Sequence, residues 1–162
     1  MNLDIYVSTH RDFYPLAPCE EREDCAKILN IVGLTPFSPV DSIPFIEIKL
    51  HAADLKNAWH VFHWFTLNVE GGEDRDEELP VSRKQLSELF EICNRLLIHR
   101  DPREANAALP LPDDLFRDKS QERKYWSEAY WPHVEDTARQ LGAILVNPKF
   151  TAGWWFSYRL GP

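Results

Sequence analysis

The chain has 162 residues, of which 44% are hydrophobic and 12% aromatic, and its formal charge is −8. That is enough apolar material for one domain, residues 1–162, with its own core, and too much for a disordered segment. The acidity excludes a general nucleic-acid binder, which needs a basic face, and leaves open an acidic surface that competes for a protein that binds nucleic acid.

In chain order, Leu3, Ile5 and Val7 alternate with Asp4, Tyr6 and Ser8, the pattern of a half-buried strand. Residues 10–18 are read as a loop closed by two prolines. Cys25, Ile28, Leu29 and Val32 follow an acidic start (Glu20, Glu21, Glu23, Asp24), which predicts a short helix over 19–32 ending near Gly33. Residues 35–44 hold three prolines and are read as a loop. Ile46, Ile48 and Leu50 alternate with Glu47 and Lys49, which gives a second strand.

The spacing of Leu55, Ala58, Trp59, Phe62, Phe65, Thr66 and Val69 predicts a helix over 53–69 with that set inward. Its other side carries His60, His63, Trp64 and Leu67. Such a helix is either sandwiched in the fold or offers its second side to a partner. Ser82 and Gln85 form a capping box, with Val81 and Leu86 in staple positions, so a second helix starts there. Leu86, Leu89, Phe90, Cys93, Leu96 and Leu97 make its stripe; helices joined by a short connection tend to pack antiparallel, but the connection here, residues 70–81, is longer than most. Between them, residues 70–78 hold six acids and one base, Arg75, a net of −5. This run reads as a solvated loop, a docking surface for a basic partner, or an oxygen-ligand cation site, although it lacks the calcium-loop spacing.

Residues 100–118 hold three prolines and no period, and are expected to be irregular. Pro132 divides the next helical stretch into a short piece to about Trp131 and a main helix to about Leu141, with Val134, Ala138 and Leu141 inward and Gly142 at its end. Trp154, Phe156, Tyr158 and Leu160 alternate with Trp155, Ser157 and Arg159, a closing strand. Together these elements predict an α+β fold. A small, mostly antiparallel sheet of N-terminal, middle and C-terminal strands packs against three main helices, and the last strand pairs with the first.

With these segments placed, MNLDIYV at the start, then Trp64, Phe65, Asn68, Val69, Asp74, Val81, Ser82, Leu86 and Leu89 in order, are similar to the motifs of a family of small uncharacterised tailed-bacteriophage and prophage proteins. Tyr130 and Trp131 and the closing Trp155, Phe156 and Tyr158 extend the resemblance. It departs at Trp59 and Phe62, where the family has Asn and His, and at Arg75 or Asp76, where it has Cys. A polar site on those positions is not expected here. The resemblance implies phage origin and a setting in the host bacterial cell; it implies no established activity. Phage accessory proteins of this size and acidity commonly disable host machinery, including restriction and CRISPR systems.

Three cysteines at unmotivated spacing and no basic-then-apolar start fit a reduced, cytoplasmic setting without a signal peptide. No apolar run is long enough to span a membrane. Phosphate cradles and the G-x-S-x-G elbow are absent, and Cys93 on the core stripe reads as an inert hydrophobe. The residues leave two functional readings. In the first, the protein is a non-catalytic binder with no cofactor. It docks a basic host protein, of the kind found in nucleic-acid-binding defence complexes, through exposed Trp64 and Trp155 and the carboxylates of Glu70, Glu73, Asp74, Asp76, Glu77 and Glu78. In the second, His60 and His63, three apart on a helix, join loop carboxylates to hold a metal in a small hydrolase.

Overall fold

β1 (Asp4–Phe13) continues well beyond Ser8 because it pairs along its length with neighbouring strands, so His10 lies in a strand and not in the predicted loop. β1 is flanked by β2 (Ile46–Lys56) on one side and β4 (Trp155–Gly161) on the other, and β4 carries the short β3 (Leu79–Val81). All three pairings are antiparallel, and the closing strand pairs with the first, as expected. The computed structural model describes residues 4–14, 19–33, 46–69, 71, 77–113, 115–116, 118–148, 150 and 153–161.

One irregularity decides which side chains share a face. The register between β1 and β2 passes from Val7↔Ala53 to Ser8↔His51, which leaves Ala52 as an extra residue on β2. Side chains alternate strictly along a strand, so one inserted residue reverses the parity beyond it. Ala53 and Leu55 therefore lie on the inner face with Ile5 and Val7. His51, Lys49 and Glu47 lie on the outer face with Ser8, His10 and Asp12. Ala53 and Leu55 were expected on a helix; they belong to β2, and the helix begins only after Asn57, whose φ of 52° turns the chain.

Among the described residues there are six helices: α1 (Cys19–Ile31), α2 (Trp59–Asn68), α3 (Arg83–His99), α4 (Pro102–Ala108), α5 (Lys119–Glu128) and α6 (Tyr130–Leu145). The capping box opens α3, with Gln85 N donating to Ser82 Oγ at 3.1 Å and Ser82 N donating to Gln85 Oε1 at 2.9 Å. Leu86, Leu89, Cys93 and Leu96 are buried, as the stripe predicts, each leucine contributing about 1.5–3 kcal/mol. α3 packs mainly against α6. α6 runs through Gly142 because that glycine is where the two helices approach: a Cβ there would stand 3.0 Å from the Phe90 ring. Pro132 is tolerated in the first turn of α6, where amides lack helical partners anyway. α4 lies where irregular chain was expected. Asp101 caps it through Oδ1 to Arg103 N at 2.8 Å, and Pro102 stands in its first turn, so proline marks a helix start there.

Ile5, Val7, Leu55, Phe156 and Tyr158 of the inner sheet face share one core with Val61, Phe65, Leu86 and Leu141. Phe65 stacks on Tyr158 with centroids 4.4 Å apart. α2 is rotated from the predicted orientation: His60, Val61, Trp64 and Phe65 are buried, whereas Trp59 and Phe62 are half-buried. No helix among the described residues is long and apolar enough to cross a membrane.

Candidate functional site

The outer face of the sheet carries a polar network centred on His10. The ring is only 2% exposed, yet both its nitrogens face acceptors. Nδ1 stands 2.8 Å from Glu47 Oε1 on β2. Nε2 stands 2.6 Å from Ser157 Oγ on β4 and 3.1 Å from Glu78 Oε1 just before β3. Ser157 also donates to Glu78 Oε1, and Lys49 Nζ holds Glu78 Oε2. Three strands and the residue that leads into β3 thus meet at one imidazole, and the Ala52 bulge brings Glu47 and Lys49 to it. Burial pushes the Glu78 carboxyl up, but hydrogen bonds from Lys49 and Ser157 and the Lys49 and His10 charges outweigh it and hold the group below its ordinary range.

Trp155, paired with His10 in the β1–β4 register, lays its indole on the imidazole, with centroids 4.0 Å apart and planes 11° apart. It remains 43% exposed. Together with His10, Glu47, Lys49, Glu78, Pro80 and Ser157 it lines an opening of about 470 Å³.

Glu47, His10 and Ser157 follow the order of a hydrolytic triad, but the geometry does not favour nucleophilic chemistry. The single hydroxyl proton of Ser157 goes to Glu78 Oε1, so a carboxylate and not the imidazole takes it. Ser157 is 1% exposed, so it offers an acyl carbon little surface to attack from. The arrangement is suited to holding charged groups and an aromatic plane rigidly at a surface.

The predicted site residues are distributed unevenly. Trp64 is 6% exposed and belongs to the core, so its expected role at an exposed surface is corrected: of the second side of α2, His60 and Trp64 are buried, His63 is half-buried and Leu67 is exposed. Trp155 is exposed, Glu77 is exposed, and Glu78 stands in the His10 network. Glu70, Glu73, Asp74 and Asp76 lie outside the described residues. His10, Glu47, Lys49 and Ser157 were not among the expected site residues; extending the i, i+2 polar pattern of Ser8 to His10 and Asp12 would have found the first.

His60 is completely buried, against Tyr130 at 4.4 Å between centroids, and its Nδ1 lies 3.4 Å from Tyr125 Oη. Burial, with a smaller contribution from His133, pushes its pKa down to about 3. His63 is half-buried. Among the described residues no group of three His, Cys, Asp or Glu side chains is placed to hold a metal ion. Burial pushes the Cys93 thiol up to about 12, which leaves it without thiolate at neutral pH.

An α+β protein with helices packed on one sheet face and an imidazole–indole stack on the other is the class that this fold and site define. Compared with family models, curated proteins and solved structures, the chain matches none of them.

Proposed function

We propose that this chain is a non-catalytic binding protein that docks a basic protein partner through the outer face of its sheet. The observation that carries this reading is Trp155, an exposed indole seated on His10 at the mouth of an opening flanked by Glu47 and Glu78. An aromatic anchor inside a charged rim is the usual anatomy of a protein-binding surface. The net charge of −8 and the acidic run that leads into Glu77 and Glu78 supply long-range attraction. In the phage setting that the opening motif resembles, the partner is a basic host protein that handles nucleic acid in defence, and the chain acts by occupying it. The metal-hydrolase reading has less to stand on, because His60 is enclosed by aromatic rings.

The test is a pull-down from host extract at low and high salt, with the wild type and a Glu73→Lys/Asp74→Lys/Asp76→Lys variant. One dominant basic protein is expected, lost at high salt and lost in the variant. Retention of the same protein by the charge-reversed chain at all salt concentrations overturns the reading.

A further inference from the structure

The opening beside Trp155 has a more specific chemistry than acidity, and the identity of its occupant rests on, and sharpens, the proposed binding function. Asp12 stands directly across from Glu47 in the β1–β2 register, on the same outer face as His10. Like charges directly opposite destabilise a strand pair unless a cation joins them. Among the described residues no cation stands on Asp12, and Glu47 is bonded only through Oε1, to His10. The nearest ammonium, Lys49, is engaged with Glu78. The Glu47 side chain is 44% exposed, so its second oxygen is accessible. One indole face of Trp155 is covered by the imidazole, and the exposed remainder borders the same opening.

A planar cation with several N–H donors meets all of these features at once. It stacks on the indole, donates to the Glu47 carboxylate and relieves the Asp12–Glu47 repulsion. A guanidinium does this; an ammonium is a hydrated point charge that neither stacks nor forks. We infer that this opening receives an arginine side chain of the basic partner, with Trp155 as the stacking plane, Glu47 as the hydrogen-bond acceptor and Asp12 as the supporting charge.

The experiment titrates nona-arginine and nona-lysine peptides into the full chain, read by calorimetry and by the indole N–H resonance of Trp155. The arginine peptide is expected to bind about fivefold tighter than the lysine peptide, and to shift that resonance. Trp155→Leu and Glu47→Gln are each expected to bring the ratio to about one. Asp12→Asn, which lies outside the buried network, is expected to weaken the arginine peptide selectively while the amide spectrum stays folded. Equal affinity of the wild type for the two peptides, or an unchanged ratio in folded Asp12→Asn and Trp155→Leu, overturns the inference. In that case salt-dependent binding of both peptides, abolished by the Glu73/Asp74/Asp76 reversal, leaves the broader reading standing. No binding of either peptide at low salt removes both.

Discussion

His60 shows what burial does to a single titratable ring. Folded, it is neutral, with a pKa of about 3, because burial and His133 oppose its charge. Unfolded, it takes up a proton near its ordinary value of 6.5. The unfolded chain therefore binds more protons between those values, and stability falls as the pH drops through that window, by up to about 1.4 kcal/mol per pH unit. At pH 5 the loss from this residue is about 2 kcal/mol. Among the described residues, His60 Nε2 also has no hydrogen-bond partner. His60→Phe is expected to leave stability at pH 7 within about 1 kcal/mol and to flatten the decline between pH 7 and 5, as read by urea unfolding. A smaller slope of the same sign remains from His133, whose pKa burial also lowers. Glu78 is held below its ordinary range, so its contribution is lost only at lower pH, as the medium acidifies through its folded value. An unchanged slope in His60→Phe removes this account.

At the scale of elements, Ala52 explains both what the sequence made legible and what it concealed. The first, second and last strands, the capping box and the α3 stripe could be read from alternation, helical spacing and cap chemistry, all local; the pairing of first and last strands was expected because terminal strands are usually tied into the sheet, and the three-residue β3 was missed. The break of parity between Leu50 and Ala53 looked like the switch from strand to helix, because a bulge and a helix start both interrupt a period of two. The orientation of α2 was illegible for another reason: an element apolar on every side has no preferred face until its neighbours are known. The candidate site was half legible. Trp155 and Glu78 stood out by type, whereas His10 and Glu47 meet only through register across strands distant in the chain. If the bulge builds the site, deletion of Ala52 drives either Glu47, Lys49 and His51 or Ala53 and Leu55 to the wrong face. The melting temperature is expected to fall by on the order of 10 °C, with the His10 network lost. Ala52→Gly keeps the register and is expected to cost about 1 kcal/mol or less. A deletion variant as stable as the wild type would show that the parity change is not what places these side chains.

On the scale of the whole molecule, helices pack on one sheet face, the other carries the exposed Glu47, Lys49 and Trp155 among the described residues, and β2 forms an outer margin. That margin is closed at Asp54. Gln140 of α6 accepts from Asp54 N at 2.8 Å through Oε1 and donates to Asp54 O at 2.8 Å through Nε2. Both backbone groups therefore point away from β1, toward the place a further strand would occupy. A third bond, from Gln140 Nε2 to Asp136 Oδ2 at 2.8 Å, fixes the amide in position. One side chain thus imitates a neighbouring backbone for a single residue and then stops. A foreign segment trying to zip along this border meets a plug where it needs a rung, which guards the chain against stacking into fibrils. Gln140→Leu unplugs it, so light scattering of a concentrated solution should rise with time for that substitution and stay level for the parent chain.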